Sequence, residues 1–220
     1  LNNSCNPCFT DIALSLGKET FYNYLSAFGF GNVTGIDFSG EAVGMLLPQS
    51  LVRNCDLARI GFGQTIAVTQ LQLACAVAAA VNGGNYYVPR LLKGVVTEDG
   101  SVEEIETILK NKVISEEASR LLAEMLEGVV AEGSGKKAYI EGYKVGGKTG
   151  TAQKYEDGRI AAGKYVSSFI GFFPSDDPQY LALITVDEPQ GTYYGSAVAA
   201  PAARAVFEDI IAIKNIQPYE

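Results

Sequence analysis

The chain has no histidine among its 220 residues, and that one absence removes several chemistries together. Ser-His-Asp and Cys-His catalysis need imidazole as a base, and most zinc sites need it as a ligand. Long hydrophobic runs are missing too. The longest apolar stretches, such as residues 71–81, fall well short of the ~20 residues that cross a bilayer, and no signal peptide is visible. Nor is there a run of lysine and arginine. With a formal net charge of −8 and a pI of about 4.7 the chain repels a phosphate backbone, and no basic patch is there to override that field, so no nucleic-acid partner is expected. Leu1 stands where an initiator methionine would, and the chain is expected to be a piece of a longer protein, so any anchor or export signal of the parent would lie outside it.

The composition that remains, 47% hydrophobic and 19% charged, is that of a globular protein and excludes a disordered or fibrous one. Asn6-Pro7 reads as a helix start, with Phe9, Ile12, Ala13 and Leu16 on one face and Gly17 able to stop the helix in a left-handed conformation. A second short helix is expected over 18–28, then a glycine-rich loop over 29–48. Thr69-Gln70-Leu71-Gln72 has the form of a capping box opening an alanine-rich helix that ends at Asn82-Gly83-Gly84. Residues 86–96 and those just after Asp99-Gly100 suggest a small β-hairpin. Ser115 caps an amphipathic helix with Ala118, Leu121, Leu122, Met125, Leu126 and Val129 on its apolar face. Strand-like runs follow over 143–155, 164–173 and 179–188. Their links, containing Asp157-Gly158 and Ser175-Asp176-Asp177-Pro178, are too short for a parallel crossover, so an antiparallel meander is expected. A last helix over 196–213, with Pro201 in its first turn or kinking it, turns Val198, Ala202, Ala205, Val206, Ile210 and Ile213 toward that sheet. The fold class is therefore α+β, an antiparallel meander flanked by helices.

Two short motifs carry chemistry. Val145-Gly146-Gly147-Lys148-Thr149-Gly150-Thr151-Ala152-Gln153 sets an ammonium beside hydroxyls on a strand, where Gly150 has no side chain to block an approaching chain. Such a strand can hold an extended carboxylate substrate; the plain alternative is a glycine-rich edge strand with an incidental lysine. At the other end, Ser4-Cys5-Asn6 overlaps Cys5-Asn6-Pro7-Cys8, so the same residues read either as half of an active site or as a redox or metal pair at a helix start. Cys55 and Cys75 are isolated and complete no zinc site.

Ser-x-Asn together with Lys-Thr-Gly belongs to the motif set of serine β-lactamases and penicillin-binding proteins. The Thr34-Gly35-Ile36-Asp37 loop, Gly61-Phe62-Gly63-Gln64 and the 67–74 run extend the likeness, as do 145–153 and Ser167-Ser168-Phe169-Ile170-Gly171-Phe172, all in family order. The chain resembles the carboxy-terminal part of a class B penicillin-binding transpeptidase domain, of the type found in division and sporulation enzymes, along essentially its whole length. That resemblance implies a cell-wall D,D-transpeptidase without cofactor or metal, acting on peptidoglycan stem peptides and trapped by β-lactams. It also implies a membrane-anchored parent on the extracytoplasmic face with a glycosyltransferase partner. Ser4 would relay protons, Asn6 position the substrate amide and the catalytic lysine, and Lys148 supply positive charge near Ser4. Thr149 and Thr151 would bind the carboxylate, with Gly150 between them and the Thr151 N–H as an oxyanion donor; Gln153 would meet bound peptide. Serine activated by lysine also fits a chain without histidine.

The family's nucleophile, the serine of S-x-x-K, lies on a helix well before Ser-x-Asn, and only three residues precede Ser4. It is therefore expected to be missing here, and the chain alone to be inactive, with apolar surface and a free strand edge that favour self-association. Two other S-x-x-K strings fail on local grounds. Gly17 divides Ser15 from Lys18, and Ser134-Gly135-Lys136-Lys137 sits in a glycine-bounded link. A non-catalytic module of the same fold, a β-lactamase or carboxypeptidase, and a thiol-disulfide protein using Cys5 and Cys8 remain as other readings.

Overall fold

The computed structural model describes residues 1–156 and 159–219; the expected Asp157-Gly158 turn lies outside the described residues. The chain divides into two compact units, one of residues 6–118, the other of residues 1–5 with 119–220.

The first unit begins with α1 (Asn6–Ala27), which bends at Gly17. There φ is +75° and ψ 159°, a conformation glycine tolerates, so the expected stop occurs but the helix resumes at once. A single-turn segment at Gln49–Leu51 leads to α2 (Asn54–Gly61), which the sequence reading did not anticipate. Its start is held by Asp56, whose carboxylate accepts from the Arg53 N–H at 3.1 Å and the Arg53 side chain at 3.0 Å. Leu57 and Ile60 are its buried face. Gly61 closes against α1, since a Cβ there would lie 2.5 Å from the Ala13 methyl.

α3 (Gln70–Val81) starts at the expected capping box: the Gln72 N–H donates to Thr69 Oγ1 at 3.1 Å, and the Thr69 N–H to Gln72 Oε1 at 3.0 Å. Gln72 is fully buried, and its amide donates to the carbonyls of Asn32 and Val43, fastening the long 29–48 loop to the helix. Thr69→Ala is expected to cost about 1 kcal/mol, seen as a lower urea midpoint at unchanged slope. An unchanged midpoint would mean that Gln72 alone holds the helix start.

The expected hairpin is present as β2 (Gly94–Val96) with β3 (Val102–Glu104). Residues 85–87 do not continue it. They form β1 (Asn85–Tyr87), which pairs with β4 (Leu109–Lys112), a contact across more than twenty residues that local patterning does not reveal.

The second unit is built on α4 (Glu116–Ala131) from Ser119 onward, a three-stranded sheet, and the helices after it. Ser115 caps α4, accepting from the Ala118 N–H at 3.1 Å. The buried stripe of α4 is Ser119, Ala123, Leu126, Val129 and Val130, while Leu121 and Met125 are exposed. The helix is thus rotated from the expected face, toward small residues that permit close packing.

β5 (Gly146–Glu156), β6 (Arg159–Phe173) and β7 (Tyr180–Asp187) form the expected antiparallel meander in the order β5-β6-β7, leaving β5 at an edge. After β7 come α5 (Gly195–Val198) and α6 (Ala200–Lys214), separated at Ala199, with Pro201 in the first turn of α6. Here too the face differs from expectation. Ala199, Ala200, Ala203 and Phe207 are buried, Val206 and Ile213 exposed. Phe207 decides the rotation: its ring meets Phe173 edge-on with centroids 5.1 Å apart, inside a cluster with Val130, Ala138, Val145 and Phe169. Among the described residues no helix is long and apolar enough to cross a membrane.

Candidate active site

The glycines before Lys148 are fixed by the aromatic core beneath them. A Cβ on Gly147 would lie 2.5 Å from the Phe169 ring and 2.7 Å from the Ile170 carbonyl, and one on Gly146 would enter the Phe172 ring. Phe169 and Phe172 are fully buried on β6, the neighbouring strand. Small residues here let β5 lie flat on that core, and Lys148 leaves the strand directly above it. Gly150 has a similar reason beyond leaving the strand open, because a Cβ would stand 2.6 Å from Ser168 Oγ.

The Lys148 ammonium donates to Ser4 Oγ and, at 2.9 Å, to the Thr149 carbonyl. Residues 144 apart in sequence are thereby brought together. Ser4 has φ +49°, a left-handed conformation unusual for a residue with a side chain, and its N–H closes a turn onto the Leu1 carbonyl at 3.1 Å. The segment is held in place by the Ser134 N–H donating to the Asn2 carbonyl at 3.1 Å. Burial of Lys148 pushes its pKa below the ordinary lysine value of 10.5. Its charge is thus held in a partly desolvated place, where a carboxylate or developing negative charge interacts more strongly than in water.

Thr149 Oγ1 lies 3.2 Å from Ser134 Oγ, with either hydroxyl able to donate. Thr151, exposed on the same strand, accepts from the Gly195 N–H at 3.1 Å. Gln153 is exposed and stands opposite Tyr165, whose ring stacks on Tyr193 at 4.0 Å. Asn6 is exposed at the first position of α1, in the other unit.

Ser134 and Gly195 are the site neighbours that sequence reading missed. Ser134 drew notice only inside an S-x-x-K string; its partner in that string, Lys137, is exposed in the following turn at Lys136–Ala138. The other string fares as expected: Ser15 Oγ donates to the Ile12 carbonyl at 2.8 Å, and Lys18 reaches the Val52 carbonyl. Cys5 and Cys8 are both exposed, and Cys75 is half-buried, its thiol pushed up by burial. A cavity of about 320 Å³ lined by Ile36, Phe38, Leu71 and Leu91 belongs to the unit of residues 6–118 and contains no residue of Ser4-Cys5-Asn6 or of 145–153.

A lysine ammonium on a serine hydroxyl, beside two threonine hydroxyls on an open strand edge, can move a proton and bind a carboxylate. The comparisons with known proteins agree with that chemistry. The model of the penicillin binding protein transpeptidase domain matches residues 1–208. Stage V sporulation protein D of Bacillus subtilis is 44% identical over 99% of this chain and 34% of its own length. A peptidoglycan D,D-transpeptidase FtsI homolog of Mesostigma viride is 32% identical over 99% of this chain and 40% of its own. The chain thus spans well under half the length of these curated relatives. Penicillin binding protein 3 of Mycobacterium tuberculosis, solved in complex with ampicillin, superposes with a TM-score of 0.89 at 28% identity, covering 99% of this chain and 51% of that one. Motif order, architecture and these matches agree from one end of the chain to the other, and the chain belongs to the family of penicillin-binding protein transpeptidase domains.

Proposed function

We propose that this chain is the carboxy-terminal part of a class B D,D-transpeptidase domain, and that the complete protein crosslinks peptidoglycan stem peptides through a serine acyl-enzyme. The observation that carries this reading is the Lys148 ammonium on Ser4 Oγ, next to Thr149 and Thr151 on an edge strand.

In this reading a serine on a segment preceding Leu1 attacks the carbonyl of the D-Ala-D-Ala bond. The C–N bond breaks, the terminal D-alanine leaves as an amine after taking a proton, and the peptide is held as an ester. An amine on a neighbouring strand then attacks that ester, forms the crosslinking amide and returns the serine with its proton. Ser4 passes protons between nucleophile, catalytic lysine and leaving amine, and Asn6 positions the substrate amide. Lys148 holds the electrostatic field, and the Thr149 and Thr151 hydroxyls take the terminal carboxylate. The Thr151 N–H is one oxyanion donor, and Gln153 meets bound peptide. Penicillins enter the same route and stop at the ester. The complete protein is membrane-anchored, works on the extracytoplasmic face with a glycosyltransferase partner, and serves division or sporulation. The free edge of β5 is a surface through which the piece alone associates with itself.

A fluorescent penicillin tests the reading. The complete protein is expected to take one covalent label that survives denaturation, and the 220-residue chain alone to take none. An unlabelled complete protein would point to a non-catalytic module of this fold. Loss of function on alkylating Cys5 and Cys8, with Lys148 dispensable, would point to thiol chemistry instead.

A further inference from the structure

After β7 the chain returns to the Lys-Thr-Gly strand, and two hydrogen bonds fasten it there. Ser167, fully buried on β6, donates its hydroxyl to the Tyr193 carbonyl. Two residues later the Gly195 N–H donates to Thr151 Oγ1 at 3.1 Å.

A hydroxyl oxygen has two lone pairs and one proton. With the Gly195 N–H on one lone pair, the Thr151 O–H points away from that N–H and is left to donate elsewhere. Thr149 is the contrast, because in its 3.2 Å contact with Ser134 either oxygen can be the donor. Of the two threonine hydroxyls, Thr151 is the one whose sense is set by a backbone group.

The identity of residue 195 follows from space. A Cβ there would collide with the Gly150 and Ser168 carbonyl oxygens and lie 3.2 Å from the Ser168 nitrogen. Gly150 and Ser168 are cross-strand partners, so the obstruction is paired backbone that no rotamer change relieves. Gly195 is not among the residues with positive φ, so backbone conformation is not the reason for glycine. Only a residue without a side chain brings its N–H within reach of Thr151.

We infer that Gly195 is a positioning residue for the substrate carboxylate: its N–H orients the Thr151 hydroxyl as an outward donor. This rests on the reading of Thr151 as a carboxylate ligand. Gly195 touches no substrate and acts through one hydroxyl, so its effect is greatest on ligands that end in a charged acceptor.

Gly195→Ala would push β5 from β6 and confuse orientation with folding. The cleaner change replaces Gly195 by glycolic acid, giving a backbone ester that deletes the donor and adds no bulk. Binding of N-acetyl-D-Ala-D-Ala and of its C-terminal amide to the complete protein is then followed by NMR titration, in the native and Thr151→Val backgrounds. The ester is expected to weaken binding of the acid about three- to tenfold, as loss of one hydrogen bond does, to weaken the amide clearly less because its carbonyl is a poorer acceptor than a carboxylate, and to have no effect in Thr151→Val. Equal weakening of acid and amide, or an undiminished effect in Thr151→Val, overturns the inference. If the native protein does not prefer acid to amide, the carboxylate reading itself fails and the inference falls with it. A preference that the ester leaves intact overturns the inference alone.

Discussion

Replacing Lys148 by methionine is expected to slow acylation of the complete protein by penicillin about a hundredfold or more, with the stability of the fold largely kept. Methionine matches the length of most of the stem, so the change removes charge and donors while most of the side chain's packing is kept. Loss of a preorganised charge or donor at a reacting centre costs about 10²–10³ in rate. The pH profile separates this role from a structural one. Burial holds the Lys148 pKa below 10.5, so acylation should fall on the alkaline side earlier than an exposed lysine would dictate. Arginine at 148 stays charged throughout and should remove that alkaline fall even where its bulk lowers the rate. Stability carries the opposite sign. Because the unfolded lysine binds its proton more tightly than the folded one, stability should rise with pH between the two pKa values, and that rise should vanish in Lys148→Met. Wild-type labelling rates in Lys148→Met would sink the assignment.

How much of this was legible in the sequence depended on the range of the interactions. The meander of β5, β6 and β7 could be read because short links forbid parallel pairing, and the start of α3 because both halves of its capping box lie within four residues. The pairing of β1 with β4 depends on contacts that no local pattern encodes, and α2 is preceded by Arg53, an uncommon capping residue. The apolar faces of α4 and α6 hold in part, with Leu126, Val129 and Ile210 turned inward, and depart for one shared reason: counting large apolar residues favours Leu121, Met125, Val206 and Ile213, whereas close packing buried Ser119, Ala123 and Ala203. In the site, Ser4 and Lys148 were found through motifs with a known chemical pairing, since nothing in the spacing of two residues so distant predicts their contact. Ser134 and Gly195 have no such motif and enter through tertiary contacts alone.

The largest stability effect is expected at Phe169 on β6, the cross-strand partner of Thr149 on β5. Its ring is fully buried and lies where glycines have no side chains. A Cβ on Gly171 would stand 2.6 Å from it, one on Gly147 2.5 Å, and one on Gly135 3.4 Å. When a large side chain is cut back, the cost depends on how far neighbours can collapse into the space. Glycines have no side chain with which to fill it, and their backbones are tied into paired strands and the turn after α4. Phe169→Ala should therefore fall in the upper part of the usual range, about 3–5 kcal/mol, measured as a drop in urea midpoint at constant slope. The same ring supports the floor under Gly147 and hence the point at which Lys148 leaves the strand, so penicillin acylation should fall even at temperatures where the variant remains folded. A loss below about 1 kcal/mol would show that the sheet closes over the gap. Full stability loss with unchanged acylation of the folded fraction would show that the Lys148–Ser4 contact is set by the strand alone, independently of the core beneath it.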